Sequence, residues 1–497
     1  MNTLLKLSSR KGHSFQFTIY FVLFVSSAFA QQSWQKTYGG TKDEYGLSAQ
    51  QTLDGGYIIA GRTNSFGAGN YDVFLIRTNA NGDTLWTKTY GGAGDDAGES
   101  VEQTKDGGFI VAGTTNSFSH LIQVYLIKTN SSGDTLWTKT YGGSGDEYCS
   151  SVHQTTDGGY IVTWDQSLSD LYVIKTNSSG DILWTQTYGK GGRYGTDVGP
   201  KITQTKDGGY IVEGCFYDQS TNLHSIYIIK TNANGDTLWT RTYGLEGARA
   251  TFGRAIQQTA DSGYIVVGSA DLPINTVIYL VKTTAIGDTL WTRTYGKTGW
   301  TYGDYIQQTT DGGYIVVGEI CPHADNNFDV YLFKTNSYGD TLWTRTYGGQ
   351  NMDKGHYVEQ MNDGGYVIIG ETYSFGNAWQ MYLIKTAANG IVGVTDNKPN
   401  GDIPTLFNLW QNYPNPFNPI TMIRFSLPTK SSVKLMMYDL LGREIVRLID
   451  RDMNEGYQDV EWKASVSTGI YFYRLEATSK DDPSKRFIET KKMLLLR

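Results

Sequence analysis

The sequence predicts an all-β fold, and three observations support this prediction. Glycine (59 residues) and aromatic residues (13%) are abundant, whereas charged residues make up only 18% of the 497-residue chain. This composition favours strands joined by tight turns over helices. A tryptophan and an Asp-Gly-Gly-like turn each recur about every 52 residues, a period typical of repeat architectures. The turn aspartates are Asp54, Asp106, Asp157, Asp207, Asp261, Asp311 and Asp363.

Each repeat carries four strand signals separated by turn signals. In the first repeat we expect strands at residues 48–52, 57–61, 73–78 and 84–90. The Asp-Gly-Gly turn after the first strand supplies the positive φ values of a tight hairpin. The second and third strands are apolar on both faces, so both faces must be covered. Radially stacked four-stranded sheets, each packed between two neighbours, meet this requirement.

The order of strands along the chain predicts how the repeats close. The chain opens with an isolated fourth strand at residues 33–38, and the last repeat lacks one, so we expect the first strand to complete the last sheet. The alternative is that residues 391–394 supply that strand. The fourth-strand tryptophan occurs seven times, at Trp34, Trp86, Trp137, Trp184, Trp239, Trp291 and Trp343. Residues 31–394 are therefore predicted to form a seven-bladed β-propeller, which resembles kelch-like and YVTN-like bacterial propellers in architecture only.

The N-terminus has the features of a secretory signal. Lys6, Arg10 and Lys11 precede an apolar run at residues 15–25, and an Ala-Phe-Ala exit follows, so residues 1–30 are expected to be removed after Ala30. The run is short for a membrane span, and we expect no span in the mature chain. A net charge of −7 argues against nucleic acid as a partner. Three isolated thiols, without a disulfide framework, are expected at Cys149, Cys215 and Cys321.

The repeat pattern ends at about residue 395, and a different kind of sequence follows. Residues 395–406 read as a linker and residues 407–497 as short alternating strands of a β-sandwich. This segment resembles type IX secretion C-terminal sorting domains of type A, close to the flagellar-hook-capping Ig-like subset. The motif residues that carry the resemblance include Tyr413, Pro414, Asn415, Pro416, Gly442 and Gly469. The alternative is an ordinary Ig-like binding domain appended to the propeller.

The resemblance implies a partner and a location. The partner is the type IX secretion machinery, which carries proteins through the outer membrane of a Gram-negative cell. The tail of such proteins is often removed and the protein attached to surface polysaccharide. The resemblance therefore implies an extracellular or cell-surface protein, and we expect it to be a monomer.

Features repeated in every blade are expected to serve the scaffold. Each turn aspartate should pair with a cation of the third strand, and each fourth-strand tryptophan should pack between blades. A ring of first-strand glutamines should hydrogen-bond backbone. The cations are Arg77, Lys128, Lys175, Lys230, Lys282, Lys334 and Lys385. The glutamines are Gln51, Gln103, Gln154, Gln204, Gln258, Gln308 and Gln360.

Candidate ligand-binding residues lie where the repeats differ, at the end of the blades that carries the crossovers between repeats and the loops from second to third strand. The crossover acids are Asp43, Asp95, Asp146, Asp197, Asp304 and Asp353. Converging carboxylates suit calcium, but no Asp-x-Asp-x-Asp-Gly loop is present, so the acids are as readily read as turn caps. The variable loops include His120, Trp164, Tyr217, His323 and Trp379. Exposed aromatic rings beside polar groups suit carbohydrate.

These features favour a binding or adhesion module, with a glycan or protein as ligand. No catalytic motif is present, and no catalytic residue is assigned. One alternative is a glycoside hydrolase or lyase with its acids at the channel mouth, because paired carboxylates are recognised only by their separation in space. A second alternative is a structural surface protein. No cofactor is expected beyond a possible calcium ion.

Overall fold

The computed structural model describes residues 33–166, 171–189, 200–218, 220–296, 299–322, 327–392, 407–409, 412 and 419–495. All regular elements in these residues are β-strands, as the sequence predicts. The chain divides into two compact units, Met1–Thr395 and Asp396–Arg497. The described part of the chain contains no helix with the length and apolar character needed to cross a membrane.

The first half of the N-terminal unit contains thirteen strands in its described residues. In chain order they are β1 (Trp34–Tyr38), β2 (Glu44–Gln51), β3 (Tyr57–Thr63), β4 (Asp72–Thr78), β5 (Thr84–Tyr90), β6 (Asp96–Gln103), β7 (Phe109–Thr115), β8 (Gln123–Thr129), β9 (Thr135–Tyr141), β10 (Glu147–Gln154), β11 (Tyr160–Gln166), β12 (Leu171–Thr176) and β13 (Ile182–Tyr188). They follow the four-strand pattern predicted for each repeat.

The second half continues the pattern through fifteen further strands in the described residues. They are β14 (Lys201–Gln204), β15 (Tyr210–Asp218), β16 (Leu223–Thr231), β17 (Thr237–Tyr243), β18 (Ala250–Gln258), β19 (Tyr264–Asp271), β20 (Thr276–Thr283), β21 (Thr289–Tyr295), β22 (Trp300–Gln308), β23 (Tyr314–Cys321), β24 (Asp329–Thr335), β25 (Thr341–Tyr347), β26 (Asp353–Gln360), β27 (Tyr366–Thr372) and β28 (Gln380–Thr386).

These strands pair antiparallel in groups of four that we number as sheets 1 to 7. Sheet 1 is β2–β5, sheet 2 is β6–β9, and the grouping continues to sheet 6, β22–β25. Sheets 4, 5 and 6 are joined by two single parallel pairs, His224 with Ala250 and Thr276 with Trp300. Sheet 7 has the order β1-β28-β27-β26, and Trp34 of β1 pairs with Lys385 of β28.

The first strands of the seven sheets, which we call the inner strands, contact one another in sequence. They are β2, β6, β10, β14, β18, β22 and β26, and β26 in turn contacts β2. The first of them starts at Glu44, not at residue 48 as predicted, because a bulge between Gly46 and Ser48 interrupts its alternating pattern. The bulge recurs in other inner strands.

Each sheet has two distinct ends. The turn end carries the tight turns from first to second and from third to fourth strand. The loop end carries the longer loop from second to third strand and the crossover to the next inner strand. At the turn end Gly55 has φ +85°, and a Cβ on Gly56 would lie 2.1 Å from the Thr78 carbonyl oxygen. The predicted need for Asp-Gly-Gly is thereby explained.

The core of the N-terminal unit lies between neighbouring sheets. Ile58 and Leu75 of sheet 1 pack against Val111 and Ile127 of sheet 2, and all four are fully buried. The same arrangement joins sheet 7 to sheet 1, where Leu383 and Ile59 share a cluster. Each fully buried side chain of this size contributes roughly 1.5–3 kcal/mol. The apolar character of both faces of the middle strands is therefore satisfied by two neighbours.

The C-terminal unit consists of two antiparallel sheets that share one core. Its described strands are β29 (Asn408–Leu409), β30 (Ile420–Leu427), β31 (Ser431–Tyr438), β32 (Glu444–Met453), β33 (Gly456–Lys463), β34 (Gly469–Ser479) and β35 (Arg486–Leu495). The sheet orders are β29-β30-β33 and β32-β31-β34-β35. Phe425, Leu435 and Tyr473 are fully buried between them. The unit is a β-sandwich, as predicted.

Candidate functional site

The turn end of the sheets is held by the predicted pairs of aspartate and cation. All seven form, with nitrogen–oxygen distances of 2.9 to 3.0 Å in six of them, and Arg77 completes the set with Asp54. In the pair of Asp157 with Lys175, burial acts to raise the pKa of Asp157. Hydrogen bonds from Thr155, Lys175 and the Gly159 N–H outweigh burial and lower this pKa to about 2. The prediction of scaffold pairs is confirmed.

The predicted glutamines and tryptophans both connect one sheet to the next. Gln204 donates to the Gly208 carbonyl of its own turn and accepts the Thr156 N–H of the preceding sheet at 2.9 Å. Trp34 lies edge-on to Tyr57 of sheet 1 with ring centroids 5.8 Å apart. Equivalent ring contacts involve each of the other six fourth-strand tryptophans. Both sets of residues therefore belong to the scaffold, as expected.

The three predicted thiols are buried. Cys149, Cys215 and Cys321 form no disulfide in the described residues, in agreement with the prediction. The Cys215 sulfur lies 3.5 Å from Nδ1 of His224.

The crossover acids mainly fix backbone at the loop end. Asp43 accepts the Trp379 N–H at 3.0 Å, and Asp146 accepts the Ile122 N–H at 2.9 Å. The exposed Asp95 has its own N–H bonded to Asn116. Asp353 is fully buried and accepts from the Gly349 N–H. These contacts match the turn-cap interpretation of the acids.

Two of these acids lie in strands and one lies outside the described residues. Asp353 begins β26, and Asp304 lies within β22, where it is 4.0 Å from Arg254. Their assignment to crossovers was wrong because the inner strands start earlier than predicted. Asp197 falls outside the described residues. Within the residues that are described, no three His, Cys, Asp or Glu side chains are arranged to hold a metal ion.

Of the residues predicted in variable loops, two lie in strands, two lie in loops and one lies outside the described residues. Trp164 lies in β11, is 5% exposed and stacks on Tyr172, so its placement in an exposed loop was wrong. Tyr217 was also wrongly placed in a loop: it lies in β15, with its ring 4.9 Å from that of His224. His120 is exposed in the loop between β7 and β8. Trp379 is half-buried in the loop before β28, and His323 lies outside the described residues.

Trp379 belongs to a group of rings and cations at the loop end of sheets 7 and 1. This aromatic–cation cluster comprises Tyr45, Arg62, Tyr71, Lys354, Tyr373 and Trp379. The Trp379 ring lies 6.1 Å from Tyr45 and 5.5 Å from Tyr373. The Arg62 guanidinium carbon is 4.5 Å from the Tyr45 ring and 4.9 Å from the Tyr71 ring. Lys354 Nζ is 5.8 Å from the Trp379 ring.

A second group, which the sequence analysis missed, lies along the inner strands. This inner charge cluster comprises Glu99, Lys201, Glu213, Arg254, Asp304, Glu319, His356 and Glu371. Glu99, Arg254, Asp304 and His356 each occupy the bulge of an inner strand. Glu371 lies 3.4 Å from Lys354, so the two clusters are contiguous. The bulges aim charged side chains of several sheets toward one another.

Burial raises the pKa of two glutamates of this cluster to near-neutral values. It raises the pKa of Glu213 to about 8 despite Lys201 and Arg254, and it lowers the pKa of Lys201. Burial and the charge of Asp304 raise the pKa of Glu319 to about 7. For His356, burial acts to lower the pKa, but the hydrogen bond and charge of Glu371 outweigh it and raise the pKa. The group can therefore bind charge or exchange protons near pH 7.

Glu213 is the most unusual member. It is fully buried, and neither carboxylate oxygen has a hydrogen-bond partner among the described residues. One of these oxygens would be 1.7 Å from a Cβ on Gly253, so a larger residue there would displace the Glu213 carboxylate. In sheets 1 and 2 the same position is occupied by Ala60 and Ala112. This difference between repeats was the signal in the sequence that could have revealed the cluster.

The predicted sorting-motif residues are only partly described. Gly442 has φ +75° in the turn after Asp439, and Gly469 begins β34. Next to the motif, the Asn412 N–H donates to Tyr473 Oη at 2.5 Å. Tyr413, Pro414, Asn415 and Pro416 lie outside the described residues, as do the linker 395–406 and the expected cleavage site at Ala30.

Comparison with known proteins gives distant structural likenesses. No curated protein matches the chain. The BP39L lectin from Burkholderia pseudomallei is 8% identical, with 71% of this chain and 98% of that chain covered and a TM-score of 0.45. The β-propeller domain of the Trilobed protease from Pyrococcus furiosus is 8% identical, with 69% and 94% covered and a TM-score of 0.40. Sqt1 from Chaetomium thermophilum is 12% identical, with 67% and 81% covered and a TM-score of 0.42. At these TM-scores the likeness supports no functional argument.

The C-terminal unit gives a specific match. Residues 411–490 match the family described as secretion system C-terminal sorting domain, which confirms the predicted tail. Such a domain implies an interaction with the type IX secretion machinery. It also implies export to a secreted or cell-surface location. The chain thus carries, at residues 411–490, a type IX secretion C-terminal sorting domain.

Proposed function

We propose that the N-terminal unit is a seven-bladed β-propeller closed by β1. Three observations support this proposal: there are seven groups of four strands, the inner strands contact one another in sequence, and β1 pairs with β28. The Trp34 ring contact and the shared core of sheets 7 and 1 have counterparts at the other sheet junctions. The inner charge cluster would then line the central channel.

We further propose that the exported protein is a binding module whose ligand docks at the loop end. The observation that carries this proposal is the aromatic–cation cluster, in which Arg62 and Lys354 lie against the rings. Ring pairs occur at equivalent positions of other sheets, His224 with Phe252 and Tyr302 with Phe328, so the two cations are what set this cluster apart. Trp379 is half-buried and Tyr373 is exposed, and neither belongs to the buried core shared by sheets 7 and 1. Aromatic faces beside polar groups are typical of sites for glycans and for protein partners.

The finer features of export belong to the same proposal. Residues 1–30 would be removed after Ala30, and the sandwich would adopt the Ig-like form of the sorting domain. The tail would be cleaved or retained at the cell surface, and the propeller would act as a monomer. Intact mass of the native exported protein, with fractionation of the cells, tests both cleavages.

Binding is tested with the purified exported protein on a glycan array and with a panel of surface proteins. We expect the Trp379→Ala variant to lose binding at least about tenfold, the loss expected when a well-placed stacking ring is removed. Tyr338→Ala is the matched control, because Tyr338 is 68% exposed in a turn-end loop. Absence of any ligand for the unmodified protein, or equal binding by Trp379→Ala, would contradict the proposal.

A further inference from the structure

Arg62 is held in an unusual way within the aromatic–cation cluster. Its guanidinium group lies close to the rings of both Tyr45 and Tyr71. No carboxylate of the described residues forms an ion pair or hydrogen bond with it, and its Nε is buried without an acceptor. Glu99 interacts with it only electrostatically, without a hydrogen bond. A positioned guanidinium therefore lacks the anion that usually accompanies it.

This arrangement prepares Arg62 for an external anion. Stacking against aromatic rings holds the plane of a guanidinium without using its N–H donors. The donors then remain available for a bidentate interaction with a carboxylate or a sulfate.

Arg62 also departs from the pattern of the repeats. The equivalent position of the second strand is neutral or acidic in the other six sheets, so the scaffold does not require a cation there. Those residues are Thr114, Asp165, Cys215, Ser269, Glu319 and Glu371. Because only sheet 1 carries an arginine, its role is local to this sector of the loop end.

The surroundings of Arg62 indicate what kind of anion fits. The rings of Trp379 and Tyr373 lie 5.5 Å apart in the same sector. Lys354 lies against the Trp379 ring but is already paired with Glu371, which leaves Arg62 as the cation available to an anion. A simple inorganic anion would not use the rings. A sugar ring that stacks on an aromatic face while its acidic group meets a guanidinium would use both.

We propose that the aromatic–cation cluster binds an acidic saccharide, with Arg62 holding the carboxylate or sulfate and Trp379 stacking on a sugar ring. This inference rests on the proposed binding function and specifies the ligand class for its site. Carboxylate and sulfate offer the same chemistry to Arg62, and the experiment distinguishes them.

The test measures binding of the full exported protein to three probes by isothermal titration calorimetry. The probes are an oligogalacturonate, the same oligomer with its carboxylates methyl-esterified, and a sulfated galactan oligomer. We expect one acidic probe to bind at least about tenfold more tightly than the esterified one, and its affinity to fall with added salt. Equal affinity for the charged and esterified oligomers would overturn the inference.

Variants assign the effect to Arg62. Arg62→Gln should lose binding of the acidic probe at least about tenfold, and Arg62→Lys should recover part of it, because lysine keeps the charge but not the fork. Arg293→Gln is the matched control, since Arg293 lies 5.6 Å from the Trp291 ring on a fourth strand. Unchanged melting temperatures show that the variants fold.

The possible failures are distinguishable. If the protein binds a neutral glycan or a protein partner, and Trp379→Ala but not Arg62→Gln abolishes that binding, the acidic-saccharide inference fails while the binding function stands. If the unmodified protein binds nothing in any format, the binding function itself fails.

Discussion

The turn end and the loop end are built from the same strands, but their residues differ between the seven sheets to very different degrees. At the turn end, all seven sheets repeat one pair of aspartate and cation and one turn. Among the described residues, Arg62 and Trp379 at the loop end and Glu213 in the inner charge cluster each occur in one sheet only. A group required by every sheet serves the scaffold. A charged group that occurs once, without an internal partner, serves something other than the scaffold.

The largest effect should come from breaking a junction between sheets. Trp34→Ala removes a 1% exposed ring that packs on Tyr57 and covers Gly82. We expect a loss of about 3–5 kcal/mol in the free energy of unfolding, measured by denaturant titration. Leu85→Ala is the control, because Leu85 is 58% exposed, and it should change little. A small effect of Trp34→Ala would mean that β1 is dispensable for the last sheet.

The next largest effect should be a pH-dependent change in stability caused by Glu213 of the inner charge cluster. The pKa of Glu213 is raised to about 8, whereas in an unfolded chain it is near its ordinary value of 4.5. Between these two values the folded state keeps a proton that the unfolded state releases, so stability falls as pH rises from about 4.5 to 8. Glu213→Gln, which stays neutral, should therefore gain about 2–4 kcal/mol relative to the unmodified protein between pH 5 and pH 8.5.

Glu371→Gln provides a control of opposite sign. Burial acts to raise the pKa of Glu371, but His356 and Lys354 outweigh it and lower the pKa. The ionised Glu371 thus stabilises the fold above its unfolded pKa, and this contribution is lost as pH falls. The free energy of unfolding of Glu371→Gln should therefore be lower than that of the unmodified protein near pH 7. Parallel stability curves for the unmodified protein and Glu213→Gln would refute a neutral, buried Glu213.

The smallest effect should come from a single pair at the turn end. Lys175→Met leaves Asp157 without its cation, and we expect a loss of about 1 kcal/mol at pH 7 because Asp157 is more than half exposed. The lowered pKa of Asp157 means that this contribution is present above pH 4 and disappears toward pH 2. Lys139→Met, whose pair is exposed on both sides, should be close to neutral. Melting temperatures of the unmodified protein and both variants, measured at pH 7 and near pH 2, test this prediction.

The turn end could be predicted from the sequence almost completely. Its chemistry is local, since an aspartate, two glycines and a cation in a fixed strand register give the same contacts each time. Residues such as Asp157, Lys175 and Gln204 therefore lie where the repeat predicts them. Repetition also provides seven independent readings of one pattern, which removes most of the ambiguity of a single segment.

The loop end could be predicted only in part. Bulges shift the inner strands, so Asp304 points toward Arg254 from within a strand and not from a crossover. Trp164 lies within β11, which is as long as β3 and β7, at a position where those strands carry Gly61 and Gly113. A tryptophan in place of the repeated glycine resembles the start of a variable loop, and the sequence pattern therefore misplaces it. The pairing of Tyr45 with Trp379 brings together residues from the first and last sheets. No local pattern encodes a contact between residues so far apart in the chain.

The pairing of β1 with β28 has a consequence for the order of folding events. The Tyr382 hydroxyl donates to Gln35 at 2.6 Å, across 347 residues of chain. Contacts between such distant segments form late and slow the acquisition of the native state. The strand synthesised first therefore waits for the strand synthesised last in this unit. During that interval sheet 7 has an open edge, so an exported chain remains vulnerable to proteolysis and mispairing until β28 has emerged.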